Sequence, residues 1–238
     1  MSENPLSQNE SENINNSKYV KLSGVILSRF ISGESNFILT LFLKQLGIIT
    51  ATAPNAIGTM KFGGSIEPTS WGIFSMRLST RYKGYVIESA EIIDDMLNLK
   101  IRPEAIKCFM NWGRILSKRI PHKTPDDALL KILYDDMNLL NNFEIPVSAI
   151  NFRFMWRWLL NWGLAPDFKE YFIKSSVNKN FSVKELKLLY YLTILDAKNL
   201  NKLFSQNNVK EFLSDNLISN PKFFDLAVNF ISKFLNQT

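Results

Sequence analysis

Residues 19–53 read YVKLSGVILSRFISGESNFILTLFLKQLGIITATA, and this stretch decides the fold. Tyr19–Arg29 is rich in β-branched and aliphatic residues, Ser32-Gly33-Glu34 is a turn, and Phe37–Leu43 returns to strand composition. Gly47 then separates that run from Ile48–Ala53. Apolar, β-branched runs bounded by glycine and serine predict three successive strands. Pro54 cannot donate to a ladder in a central strand, so the third strand stops there. The next stretch, Pro54–Ser70, is irregular and holds Gly58, Gly63, Gly64 and Pro68. Trp71–Leu78 alternates, with Phe74, Met76 and Leu78 on one face. Arg81-Tyr82-Lys83-Gly84 predicts a turn and Tyr85–Ile93 a last strand. Five strands with one long loop after the third predict a small antiparallel barrel.

Working outward, the grammar changes after Asp95. Pro103 suits a first helical turn, and Ile106, Phe109, Met110 and Leu116 recur at helical spacing up to Ile120. Pro121-His122-Lys123-Thr124-Pro125 is a loop, and Asp126-Asp127 open a second helix whose apolar stripe is Leu129, Leu133, Met137 and Leu140. Pro146 opens a third helix that ends at Trp162 with Gly163 as its stop. Ser182-Val183-Lys184-Glu185 reads as a capping box before Leu186–Leu195, and Asn220-Pro221 starts a last helix. On the other side of the barrel, residues 1–18 are polar and read as a disordered arm. The expected layout is therefore this arm, a barrel domain over 19–93 and an all-helical domain over 95–238.

Composition narrows the function. The chain has 238 residues, 46% hydrophobic and 21% charged, which suits a folded protein. One cysteine, Cys108, and one histidine, His122, exclude a disulfide framework, a cysteine-cluster zinc site and nearly every histidine-based triad. A lone thiol suits a reducing compartment. No apolar run is long enough for a membrane span, and the polar start predicts no secretory signal, so a soluble cytoplasmic protein is expected. The formal net charge is +6. Residues 19–90 carry seven Lys/Arg against Glu34, Glu67 and Glu88, and the chain from 101 onward is also basic. Both segments favour an anionic partner, where the plainer alternative is charge for solubility alone.

Catalysis finds little support. The pairs Asp94-Asp95, Asp126-Asp127 and Asp135-Asp136 suggest a two-metal site, but neighbours on a helix point about 100° apart. His122 lies between prolines, Cys108 sits among apolar residues, and no phosphate-cradling glycine motif is present. No enzyme activity, cofactor or metal is expected.

The barrel segment resembles the RecO family, the bacterial recombination mediators of DNA repair. Ser23-Gly24-Val25-Ile26-Leu27-Ser28-Arg29 looks like that family's opening strand, Gly33-Glu34-Ser35 its first turn, and Ile38–Phe42 its second strand. Gly47, Phe62-Gly63-Gly64, Glu67-Pro68 and Ala90-Glu91 follow in order, and in the helical half Arg153-Phe154, Leu159-Leu160 and Gly163-Leu164-Ala165-Pro166 match. The similarity covers roughly residues 22–93, with a patchier match over 150–192. Two departures stand out. Many members carry four zinc-binding cysteines after the Gly-Leu-x-Pro stretch, and Tyr171–Asn180 holds none. The family's basic loop after strand three is here Pro54–Lys61, with a single lysine.

The resemblance implies an OB-type barrel, a helical domain and a non-enzymatic role. Such proteins bind single- and double-stranded DNA, promote annealing, and load recombinase with a RecR-type partner and single-strand-binding protein. Arg29, Lys61, Arg77, Arg81 and Lys83 are the barrel cations available to a phosphate backbone, interleaved with Phe62, Trp71 and Tyr82 as stacking faces. The alternative for Phe62 and Trp71 is the core. Glu34 and Glu67 are expected to hold turns by local hydrogen bonds.

In the third predicted helix, Phe152, Met155, Trp156, Leu159 and Trp162 form an apolar arc, while Arg153, Arg157 and Asn161 share one stripe. Two cations four apart call for an acidic partner. It is either internal, on Asp135-Asp136 or Asp126-Asp127, or external. The resemblance implies the acidic, aromatic-ended tail of single-strand-binding protein, held by Arg153 and more weakly Arg157 beside Phe154, Trp158 and Leu164. A second function class is a protein-interaction adaptor whose barrel has lost most DNA binding and whose helical domain docks an acidic partner.

Overall fold

The computed structural model describes residues 19–57, 62, 66–141, 145–168, 170, 183–196 and 198–200. The expected arm over 1–18, the Ser182 end of the capping box and the helix after Asn220 lie outside them. Five strands come first: β1 (Tyr19–Ser32), β2 (Asn36–Leu43), β3 (Gly47–Ala53), β4 (Trp71–Ser79) and β5 (Gly84–Asp94). Among the described residues these helices follow: α1 (Leu97–Lys100), α2 (Pro103–Arg119), α3 (Asp127–Leu140), α4 (Val147–Asn161) and α5 (Val183–Ile194). The change from strands to helices falls between Asp94 and Leu97, where the composition shifts.

The strands close into a barrel in the order β1-β2-β3-β5-β4, with β4 returning to β1. β1 can serve two neighbours because it is long and bulged between Ile26 and Ser28. Its first half pairs with β4 (Val20 opposite Met76) and its second half with β2 (Phe30 opposite Ile38). All these pairs are antiparallel, and a short parallel contact of β3 with β5, Ala51 opposite Tyr85 and Thr52 opposite Val86, completes the ring. Alternation sends Leu22, Ile26, Leu39, Leu41, Ile49, Phe74, Met76 and Ile87 inward to one core.

That brief β3–β5 pairing leaves part of the β3 edge unmatched, and unpaired backbone groups there would be costly or sticky. The loop after α2 covers it. Lys123 N donates to Ile48 O at 2.9 Å, and Thr50 N donates to His122 Nε2 at 3.2 Å. Gly47 makes the close approach possible. Its φ is +77°, and a Cβ there would stand 2.1 Å from the Thr124 carbonyl oxygen. The Asp127 carboxylate accepts from Gln45 N at 2.7 Å, fastening the start of α3 to the β2–β3 turn.

The chain divides into two compact units, Met1–Leu130 and Lys131–Thr238. The first thus includes α2 as well as the barrel, some 35 residues past the change of secondary structure at Asp95. The reason is packing: α2 buries Ala105, Phe109, Trp112, Gly113 and Leu116, and a Cβ on Gly113 would lie 3.2 Å from the Leu27 carbonyl of β1. Met110, read as part of this helix's apolar stripe, is instead exposed.

In the second unit α4 is buried on nearly every side, including Phe152, Met155, Trp156 and Leu159 of the expected arc. It ends in a Schellman motif: Leu164 N donates to Leu159 O at 2.9 Å and Gly163 N to Leu160 O at 3.0 Å, with Gly163 at φ +68°. Phe168 packs edge-on to Trp156 at 5.5 Å and reaches Tyr190 of α5 at 5.4 Å.

Candidate nucleic-acid interface

The β4–β5 turn is built by two local bonds. Lys83 N donates to Thr80 O at 3.2 Å, and Tyr82 N donates to Ser79 Oγ at 3.4 Å. Lys83 takes the left-handed conformation, φ +52°, that the tight reversal demands. This backbone throws Arg81 and Lys83 into solvent on either side of a half-buried Tyr82. The Arg81 guanidinium lies 5.7 Å from the Tyr82 ring centroid, a cation–π distance. Neither Arg81 nor Lys83 joins an ion pair among the described residues. Two uncompensated cations flanking an aromatic ring can hold phosphate and a stacked base together.

The other barrel cations are placed differently. Arg29 donates to Glu67 Oε1 at 2.6 Å, and its guanidinium sits 4.4 Å from the Phe37 ring centroid. It pins the loop after β3 to β1, so it is a structural clamp rather than an open phosphate contact. The Glu67 side chain serves a partner 38 positions away, while its backbone carbonyl accepts from Ser70 N at 3.1 Å in the local turn. Arg77 donates to Glu88 Oε1 at 2.7 Å, an acid–base pair from β4 to β5. Phe62 is buried in the core, Trp71 is half-buried, and Lys61 lies outside the described residues. Of the predicted DNA contacts, the structure leaves Arg81, Tyr82 and Lys83 together on one turn.

The helical-domain residues require a correction. Arg153 is 1% exposed, and Phe154 and Trp158 are fully buried, so none of the three faces an incoming peptide. Arg153 Nε donates to Asp136 Oδ1 at 2.7 Å, while its Nη1 donates to Leu192 O and Leu195 O, each at 2.6 Å. Leu192 lies in the last turn of α5 and Leu195 just past its end, where a helix leaves acceptors unsatisfied and its dipole favours a cation. Arg157 completes the cluster, with Nη1 3.3 Å from Asp136 Oδ1 and Nη2 3.2 Å from Asp135 Oδ2. Burial pushes the Asp136 carboxyl up to about 6 against the pull of Arg153 and Arg157. The stripe's acidic partner is therefore internal. One arginine of this apolar helix is buried and the other half-buried, and both find their partners on neighbouring elements.

Sequence reading missed His122 as a partner of the barrel edge. Burial, and then Lys123, lower its pKa, keeping the ring neutral so that Nε2 accepts from Thr50. Its position between two prolines marks a rigid loop but not the strand it meets. Among the described residues no group of His, Cys, Asp and Glu is placed to hold a metal ion. None of their helices is long and apolar enough to cross a membrane. No family model matches the chain, and no curated protein matches it.

Proposed function

We propose that the chain is a DNA-binding recombination mediator of the RecO type and that its barrel is an OB-type barrel. The observation that carries this reading is the closed order β1-β2-β3-β5-β4 with an exposed Arg81-Tyr82-Lys83 turn joining β4 to β5. OB barrels are five-stranded and take oligonucleotides on the face of strands two and three and on the loops joining one to two and four to five. The glycine landmarks of the resemblance support it too, because Gly47 and Gly163 occupy positive-φ positions where another residue is strained.

In this reading the turn neutralises phosphates and stacks a base, which lowers the repulsion between two approaching strands. No bond is made or broken, so the protein is not an enzyme. A RecR-type protein and single-strand-binding protein are its partners in the cytoplasm. The reading does not assign the acidic tail to Arg153, which is committed internally. The adaptor alternative, a barrel that has lost most DNA binding and a helical domain that docks an acidic partner, would have to use a cation other than Arg153.

The test is a salt titration of binding to a labelled oligo-dT. Wild-type affinity should fall with salt, and Arg81→Gln/Lys83→Gln should make log K against log salt shallower by up to ~1.4, at ~0.7 per phosphate contact. Absence of salt-dependent binding by the wild-type chain overturns the reading.

A further inference from the structure

Helix α2 turns its apolar side to the barrel, with Phe109, Trp112 and Gly113 buried and Gly113 against Leu27. Its other side presents Lys107, Asn111, Arg114 and Lys118, all exposed. At 100° per residue these four fall within about 60° of arc, diametrically opposite the buried stripe. They run for about 16 Å along the axis at 1.5 Å per residue. The surrounding sequence deepens the imbalance. Residues 100–123 hold seven Lys/Arg against the single acid Glu104, an excess as large as the +6 of the whole chain. Glu104 is itself committed to Arg102 at 3.4 Å.

Elsewhere the fold gives its buried or strand-borne arginines a carboxylate: Glu67 for Arg29, Glu88 for Arg77, Asp136 for Arg153. On α2 it does not. Lys107 and Lys118 meet no carboxylate among the described residues, and Arg114 Nη2 donates to the neutral Asn111 Oδ1 at 2.9 Å. Arg114 and Lys118, one turn apart, repel each other. A straight row of uncompensated cations complements a row of phosphates, which occur about every 3.4 Å along each strand of a duplex. The face carries no aromatic residue, so it lacks the stacking platform that single strands need.

We infer that the α2 face formed by Lys107, Arg114 and Lys118 is a second nucleic-acid surface, one that holds the sugar–phosphate backbone of duplex DNA. The inference rests on the DNA-binding reading above and divides its labour: the β4–β5 turn takes a single strand, and α2 takes the duplex that annealing produces. Contacts would be to phosphates alone and carry no sequence preference.

The experiment compares full-length wild type with Lys107→Gln/Arg114→Gln/Lys118→Gln on a 20-base-pair duplex, on oligo-dT, and on vesicles of phosphatidylserine and phosphatidylcholine. The three side chains are exposed, and circular dichroism checks that the variant folds. The duplex slope of log K against log salt should fall by up to ~2.7, at ~0.9 per contact, while the oligo-dT slope stays unchanged. A Lys107→Arg/Arg114→Lys/Lys118→Arg variant should restore the duplex slope. An unchanged duplex slope overturns the inference, as does an equal fall on oligo-dT or a loss confined to the vesicles. If oligo-dT binding still depends on Arg81 and Lys83 in those cases, the DNA-binding reading stands and only the α2 surface falls. If wild type binds neither oligonucleotide, both fall.

Discussion

Arg77 of the barrel and Arg153 of the helical unit each make an ion pair of 2.7 Å, yet one side chain is 37% exposed and the other 2%. Equal distances hide unequal energetics. The Arg77–Glu88 pair exchanges water for protein at little net gain, typically up to about 1 kcal/mol and screened by salt. At Asp136 both charges have left water, so each depends on the other remaining in place. The barrel unit is held together by backbone shape, through strand register and glycine-sized approaches. The helical unit hangs one helix end on a buried guanidinium.

The largest expected effect tests that contrast directly. Arg153→Met removes the closest cation from Asp136 and frees the Leu192 and Leu195 carbonyls, and it should cost about 3–5 kcal/mol in a urea titration. Arg77→Ala in the same assay should cost about 1 kcal/mol or less. Replacing the pair together, Asp136→Leu with Arg153→Met, should recover much of the loss, because no unpaired charge then remains buried. Equal costs for the two single variants would erase the distinction.

A middle-sized effect probes shape in the barrel unit. Gly47→Ala places a Cβ against the Thr124 carbonyl at a strained φ, and about 1–3 kcal/mol is expected from the backbone strain alone. The loop should lift from β3, so the Lys123 amide, which donates to Ile48, should exchange faster with solvent. An unaltered Lys123 amide would show that the loop does not depend on this approach.

The smallest effect is electrostatic and belongs to the same contact. The His122 pKa lies below its ordinary 6.5 in the folded chain, so the folded state binds fewer protons there than the unfolded one. Its contribution to stability is complete above pH 6.5 and is lost as pH falls through the folded pKa. With one histidine in the chain, a single imidazole titration in NMR reads this directly. Its midpoint should fall below 6.5, and the Thr50 amide shift should follow the same curve. A midpoint at or above 6.5 would mean that burial and Lys123 do not hold the ring below its ordinary value.

Legibility differs between the two units for reasons that can be traced to residues. The five strands were readable because alternation at Phe74-Met76-Leu78 and turn residues such as Gly33 and Gly47 act over a few positions. The end of α4 was readable because Gly163 is a local stop. The fate of each arginine was not. Arg29 finds Glu67 across 38 positions and Arg153 finds Leu195 across 42, and no spacing rule spans such distances. The spacing of Lys107, Asn111, Arg114 and Lys118 was written in the chain, but which side of α2 faces the barrel depends on the Gly113–Leu27 approach.

The amino-acid sequence alone therefore determined a strand-rich segment followed by helices, the turn positions, the basic balance and the shortage of histidine and cysteine. Each of these is a local or summed property of residue type. Tertiary structure decided the β1-β2-β3-β5-β4 closure, the inclusion of α2 in the barrel unit, and which cations remain in water. Burial decides these because it is a property of packed surfaces. An arginine keeps its charge everywhere along the chain, but only its surroundings in the folded chain set whether that charge must be paired internally or is left for a partner.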